Sequence, residues 1–181
     1  MAASGNGEVT AYIEWLEGVR RRTRAVADVV PEGRLEWTPI PGLFTPGDLL
    51  RHIAATERWM WAENACLRPS RYPGHGVELA RGKEAVLAYL DRMHAETVEI
   101  LSGLDDADLQ RRCVTVGGAE MRVGKWLRLM IEHEIHHRGQ LYELLAFLGV
   151  EVPSLYGLTE AQVRERSEAA PGDETAPRGV P

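Results

Sequence analysis

The sequence predicts an all-α protein, an antiparallel four-helix bundle with one small β-hairpin before its fourth helix. Four long segments space their apolar residues for one face of a helix, and one short segment alternates apolar with polar residues instead. The chain has 181 residues, enough for one domain with a buried core. We therefore expect a single domain over residues 1–168, followed by a disordered tail rich in proline and glycine over residues 169–181.

The first two helices have recognisable limits. The first is predicted over residues 8–30, where a proline and a glycine end it. The second begins after Thr45, which suits the N-cap, and Pro46 suits the first helical position. It is predicted to continue to about Leu67, with Met60 and Leu67 among the residues on its core side.

Two further helices flank the hairpin. One is predicted over residues 83–104 and the other over residues 124–148. The segment between them alternates valine with polar residues, and Gly117–Gly118 can form a tight turn, which predicts a two-stranded hairpin. A short final helix is predicted over residues 159–167.

Composition and charge narrow the classes of partner. The formal net charge is −6, which argues against nucleic acid or an anionic membrane surface as the main partner. No stretch reaches the ~18 apolar residues that a membrane span needs. The two cysteines, Cys66 and Cys113, form no CxxC pair, so reduced thiols are the simplest interpretation. We therefore expect a cytoplasmic protein.

Three of the six histidines lie within the segment LMIEHEIHHRGQLYELL. Each residue of a helix advances about 100° around the axis, which places His133 and His137 on the buried side and His136 on a flank. Two imidazoles one turn apart can share one cation, which predicts a metal site. The alternative is a pair of core histidines with hydrogen-bond partners, since an unpaired polar group is costly in an apolar interior.

A divalent ion would need a third protein ligand, and periodicity leaves two candidates open. His52 lies toward the edge of the core stripe of the second helix, whereas His94 lies closer to the core stripe of the third. His94 could also support a ligand by a hydrogen bond. Glu57 could accept a hydrogen bond from a bound water or substrate, or act as a base, although a surface carboxylate is the simpler interpretation. His75 lies in a loop and is assigned no role.

Four segments of the chain together resemble a known family. They are TPGDLLRHIAATERW, TVGGAEMRVGKWL, HEIHHRGQLYELLAFLGV and LYGLTEAQVRERS, and the resemblance extends over about residues 11–167. In this order they resemble the DinB/YfiT-like family of bacterial metal-binding four-helix bundles. The resemblance implies one divalent ion, zinc or nickel, bound by His52, His133 and His137. It also implies a homodimer and, from members with assigned activities, thiol-dependent transferase or isomerase chemistry.

Exposed tryptophans would give the homodimer a second argument. Trp59 and Trp61 lie close together on the second helix, where they could form an aromatic surface for a partner. Ordinary packing inside the bundle is the alternative interpretation of both residues.

The family resemblance, together with the site residues, suggests one preferred function and two alternatives. Three neutral histidine ligands leave the charge of a divalent ion uncompensated, so a bound water or thiol would lose its proton near neutral pH. The preferred function is a metal-dependent S-transferase that acts on a small molecule with a low-molecular-weight thiol. The alternatives are a non-enzymatic metal-binding bundle and a zinc hydrolase that uses the HEIHH segment, with Glu134 as general base.

Overall fold

The computed structural model describes residues 7–168, and its elements follow the predicted order. The α-helices in this range are α1 (Gly7–Asp28), α2 (Pro46–Thr56), α3 (Glu63–Ala65), α4 (Lys83–Ser102), α5 (Val123–Phe147) and α6 (Glu160–Glu168). A π-helical segment (Glu57–Ala62) joins α2 to α3, and strands β1 (Arg112–Val114) and β2 (Glu120–Arg122) form the hairpin. The predicted four-helix bundle with one small hairpin is confirmed. The tail predicted over residues 169–181 lies outside the described residues.

Helices that follow each other in the chain are not always the closest neighbours in the bundle. α1 packs mainly against α4 and α5, and α2 packs against the same two helices. Two clusters of buried side chains fill the interior, one containing Val26, Leu49, Ile53, Leu90 and Leu141 and the other Leu16, Trp61, Leu101, Trp126 and Ile131. Within residues 7–168, no helix is both long and apolar enough to cross a membrane.

The start of α2 has the predicted cap. Thr45 Oγ1 accepts a hydrogen bond from the backbone N–H of Asp48 at 3.0 Å, and the Asp48 carboxylate accepts one from the N–H of Thr45 at 3.1 Å. Pro46 follows in the first turn, where its missing N–H would have had no partner within the helix. This capping box fixes where α2 begins and, with it, the position of His52 in the second turn.

The π-helical segment changes which side chains reach the core. A regular α-helix through residues 57–62 would bury Met60 and Leu67, as the apolar pattern predicts. In the structure Trp61 is buried instead, while Met60 is half-buried. The helix ends at Ala65 and not at Leu67 as predicted, and Leu67, with a φ of +57°, lies beyond it and is 47% exposed. Because a π turn closes its hydrogen bond one residue later than an α turn, every later side chain is displaced by one position. The predicted core stripe is therefore correct before Thr56 and wrong after it.

The hairpin turns at the predicted pair of glycines. Cys113 lies opposite Met121 in the antiparallel register, and Gly118 has a φ of +80°, a conformation that favours glycine. Cys113 is the buried residue of β1, whereas Val114 and Val116 are exposed. The hairpin therefore packs on the bundle through the cysteine side of its first strand.

Candidate metal centre

Three histidines converge where α2 faces α5. His52 belongs to α2, and His133 and His137 stand one turn apart in α5. The Nε2 atom of His133 lies 3.1 Å from Nε2 of His52 and 3.1 Å from Nε2 of His137. The fold thus brings together the three histidines that the family resemblance selects, and it places His52 rather than His94 in this cluster.

The spacing of the three nitrogens suits a divalent ion. Donor atoms from the three rings lie within 4.8 Å of one another. Two nitrogens that each lie ~2.0–2.1 Å from a tetrahedral zinc are about 3.3 Å apart, close to the separation of these Nε2 atoms. Without a cation, the converging nitrogens present more lone pairs than there are protons to bridge them. The donor set therefore fits a bound metal.

Two of the rings are held by their outward nitrogens. The Nδ1–H of His137 donates to the side-chain oxygen of Gln140 at 2.7 Å. The Nδ1 atom of His52 lies 2.7 Å from the hydroxyl of Tyr72, which in turn lies 2.8 Å from Nδ1 of His75. A proton on Nδ1 leaves Nε2 with a free lone pair, which is the tautomer that a metal ligand needs.

Burial keeps the three imidazoles neutral. It lowers the pKa of His52 to about 4, and the neighbouring His137 and His75 contribute to the shift. Burial and the neighbouring histidines lower the pKa of His133 to about 3, and burial also lowers the pKa of His137. At neutral pH the rings are therefore unprotonated and able to bind a cation.

A buried arginine beside His52 anchors the loop that carries His75. The side chain of Arg51 is fully buried, and its Nε donates to the backbone carbonyl of His75 at 2.7 Å. Glu36 and Asp48 accept further hydrogen bonds from the guanidinium at 2.7–3.0 Å and balance its charge. Sequence reasoning missed both Arg51 and His75, although a charged residue among the apolar neighbours of LLRHIAA was an available signal.

The other candidate residues lie outside the cluster. The Nδ1 atom of His94 lies 3.0 Å from Oε1 of Glu57, so His94 pairs with a carboxylate instead of facing the three histidines. His136 is exposed on a flank of α5, as predicted. Glu57 is only 2% exposed, and its interpretation as a surface carboxylate is therefore wrong.

Glu57 belongs to a buried ion network that links three helical segments. Arg20 of α1 contacts the carboxylates of Glu57 and Glu134, the second at 3.0 Å, and these side chains are 3–5% exposed. Burial alone would raise the pKa of Glu57, but the charge of Arg20 and the hydrogen bond from His94 hold that pKa below its usual value. Arg20, Glu57 and Glu134 each stand four residues after a buried apolar residue. This spacing places them on the core side of their helices and could have been noticed in the sequence.

Glu134, the general base of the hydrolase alternative, is held by this network. Its Oε2 atom accepts a hydrogen bond from Arg20 at 3.0 Å. Its Oε1 atom is buried and has no hydrogen-bond partner in the part of the chain that the structure describes. Glu134 is only 2% exposed and one of its carboxylate oxygens is engaged by a buried guanidinium, so it is poorly placed to act on a molecule bound at the cluster.

Neither cysteine belongs to the cluster. Cys66 is half-buried just beyond α3, Cys113 is buried in β1, and both are free thiols. Burial raises the pKa of each thiol. Both groups are therefore protonated at neutral pH, which makes them weak nucleophiles and weak metal ligands.

The tryptophans of the π-helical segment pack within the protein. The ring of Trp61 lies 3.9 Å from that of Trp126, whose indole N–H donates to the Trp61 carbonyl at 3.2 Å. Trp59 is half-buried, with the guanidinium groups of Arg58 and Arg71 at 4.2 and 4.0 Å from its ring centre. Bundle packing therefore accounts for both tryptophans, and the homodimer stays a prediction from the family resemblance.

The fold and the histidine cluster define a helical bundle with a candidate metal centre between two of its helices. A sequence model of the DinB superfamily matches residues 16–141, more than half of the chain. The chain therefore belongs to the DinB superfamily. No curated protein matches it.

Several solved bacterial structures have the same fold. A DinB-like protein from Bacillus cereus is 23% identical, with a TM-score of 0.68 and coverage of 80% of this chain and 95% of that chain. The DinB-like protein YjoA from Bacillus subtilis is 20% identical, with a TM-score of 0.63 and coverage of 80% and 96%. YfiT from Bacillus subtilis, described as a probable metal-dependent hydrolase with an unusual four-helix bundle topology, is 16% identical, with a TM-score of 0.64 and coverage of 83% and 93%. At these identities the likeness establishes the fold.

Tyr72→Phe is expected to weaken metal binding by about 10–100-fold, because it removes the hydroxyl that orients His52. Phenylalanine retains the ring, whose centroid lies 5.4 Å from that of His52. Competition for zinc with a fluorescent chelator measures the affinity. The matched control is Tyr142→Phe, since the Tyr142 hydroxyl donates to the carbonyl of Pro153 and touches none of the three histidines. Equal affinities in the two variants would contradict a role for Tyr72.

Proposed function

We propose that this protein is a metal-dependent enzyme that holds one divalent ion, zinc or nickel, through His52, His133 and His137. The proposal rests on the convergence of three neutral Nε2 atoms at spacings of 3.1 Å. Three protein ligands leave coordination positions vacant, which is the pattern of catalytic zinc rather than structural zinc. His52 and His133 are half-buried, which leaves the cluster within reach of a small molecule.

The proposed reaction is an S-transfer between a low-molecular-weight thiol and a small molecule. An ion at this site would lower the pKa of a coordinated thiol, so that the thiolate nucleophile is available near neutral pH. The surroundings of the rings support this preference. Within residues 7–168 their outward hydrogen-bond partners are the neutral side chains of Tyr72 and Gln140, and no carboxylate hydrogen-bonds to them. The site therefore has a place for one anionic ligand from the substrate.

Hydrolysis is the second candidate function. The description of YfiT as a probable metal-dependent hydrolase favours it. The same three histidines would then serve to activate water, and the base would have to be a group other than Glu134, which Arg20 holds. Metal binding without catalysis is the third candidate, and a thiol titration separates the first candidate from the other two.

Cobalt-substituted protein tests the proposed thiol chemistry. Titration with mycothiol or bacillithiol is expected to produce a sulfur-to-metal charge-transfer absorption band, because a thiolate occupies a vacant position. The double variant Cys66→Ala/Cys113→Ala is expected to retain the band, since neither thiol lies in the cluster. His137→Ala is expected to lose it. A protein that keeps its cobalt but shows no band with any thiol would assign the site to hydrolysis or to metal binding alone.

A further inference from the structure

A groove of about 530 Å³ lies along α5 beside His52 and His137. It lies between the connection from α1 to α2, at residues 39–44, and the last turns of α5. Gln140, Leu144 and Phe147 line it and stand three, seven and ten residues after His137, so they continue the helix face of that histidine. At 1.5 Å per residue, the groove extends about 15 Å along α5 from the cluster.

Two residues of the groove contact histidines of the cluster. Gln140 lines the groove and accepts the hydrogen bond from Nδ1 of His137. Phe44 also lines the groove, and its ring centroid lies 5.4 Å from that of His52 and 6.2 Å from that of His137. The groove therefore begins directly beside the rings of two proposed ligands.

The lining of the groove is mainly apolar, and none of its residues in the described range 7–168 is a cation. Ile40, Leu43 and Phe147 expose large apolar side chains there, and Phe147 is 72% exposed. Among the described residues, Glu143 is the one charged group of the lining, and its carboxylate disfavours an anionic ligand. The volume lies within the ~300–1,000 Å³ of small-molecule sites, which are lined mainly by apolar and aromatic side chains.

We propose that the groove binds an uncharged aliphatic or aromatic chain of the substrate, whose polar head lies at the three-histidine cluster. This inference rests on the proposed function, because the ion places the head. Leu43, Leu144 and Phe147 contact the chain, and Gln140 marks the junction between chain and head. The substrate class is therefore an amphiphilic small molecule with a metal-binding head and a neutral tail.

A series of alkyl hydroxamic acids tests the groove, because their common head binds divalent ions whatever the chain. In the zinc-loaded protein, calorimetry is expected to show the affinity rising about threefold to fourfold per methylene from the acetyl to the hexanoyl compound. The double variant Leu43→Ser/Phe147→Ser is expected to bind the acetyl compound normally and to lose most of this rise. The control is Tyr156→Ser, at a residue that is 77% exposed and outside the groove. This variant is expected to keep the full rise in affinity with chain length.

The outcomes separate a failure of the groove from a failure of the metal site. The groove proposal is wrong if the acetyl compound binds but longer chains bind no more tightly. It is also wrong if the affinity rises with chain length equally in the wild type and the double variant. In either case the metal proposal stands. If the protein holds neither zinc nor nickel, the proposed function fails, and binding of 1-hexanol then tests the groove alone. Shifts of the Leu43 and Leu144 methyl signals in NMR spectra on addition of 1-hexanol support the groove proposal, and unshifted signals overturn it. A dimer that Phe147→Ser converts into a monomer would assign the groove to a second copy of the chain and overturn it as well.

Discussion

His133→Ala is expected to leave the protein with almost no tightly bound divalent ion. The Nε2 atom of His133 stands 3.1 Å from both other Nε2 atoms, so its removal leaves two nitrogens from different helices and no complete donor set. The loss of affinity should exceed the ~10–100-fold that loss of a supporting hydrogen bond costs. Elemental analysis of freshly purified, dialysed protein measures the metal content directly.

His136→Ala is the matched control for this experiment. His136 lies on the same helix but is exposed, and its Nε2 atom takes no part in the cluster. Its metal content is expected to equal that of the wild type. Full metal occupancy in His133→Ala would contradict the proposed metal site. Loss of metal in His136→Ala alone would show that the ligand lies on the exposed flank of α5.

Arg20→Met is expected to lower the free energy of unfolding by about 3–5 kcal/mol. The substitution keeps a long apolar side chain but leaves the buried carboxylates of Glu57 and Glu134 without their shared cation. Uncompensated buried charges cost more than the lost ion pairs themselves contribute. Urea denaturation of the chelator-treated proteins, followed by tryptophan fluorescence, measures the difference without a contribution from bound metal.

Two further variants determine whether buried charge is the cause. Arg24→Met removes an arginine one turn later on α1, where the pairs with Asp28 and Asp91 lie at the surface, and it is expected to cost less than about 1 kcal/mol. Adding Glu57→Gln and Glu134→Gln to Arg20→Met is expected to restore part of the lost stability. A value for Arg20→Met within about 1 kcal/mol of the wild type would show that the network does not stabilise the fold.

The orientation of the α5 histidines could be predicted because α5 is a continuous α-helix. A constant advance per residue carries the pattern of the apolar side chains directly to His133, His136 and His137. The contribution of His52 could not be derived in this way. A residue at the edge of a stripe meets whichever helix lies beside it, and that neighbour depends on how the whole bundle packs.

Two further features were not predicted from the spacing of the apolar residues. Nothing in the apolar spacing distinguishes a π turn from an α turn, so the pattern predicts a buried Met60 where the structure buries Trp61. The buried charges of Arg20, Glu57 and Glu134 occupy positions where periodicity predicts core. A hydropathy pattern predicts that charged residues are exposed, because it does not include the distant partners on which their burial depends.

The arrangement of neighbours in the bundle has a consequence for how the chain folds. Because α1 packs mainly against α4 and α5, its partners are translated only from Lys83 and Val123 onward. A nascent chain that ends before residue 83 therefore presents α1 and α2 without the helices that cover them. Contacts of such long sequence separation slow folding relative to an up-and-down bundle of the same length. The last bundle helix to leave the ribosome also carries two of the three clustered imidazoles, so the metal site cannot assemble ahead of the fold.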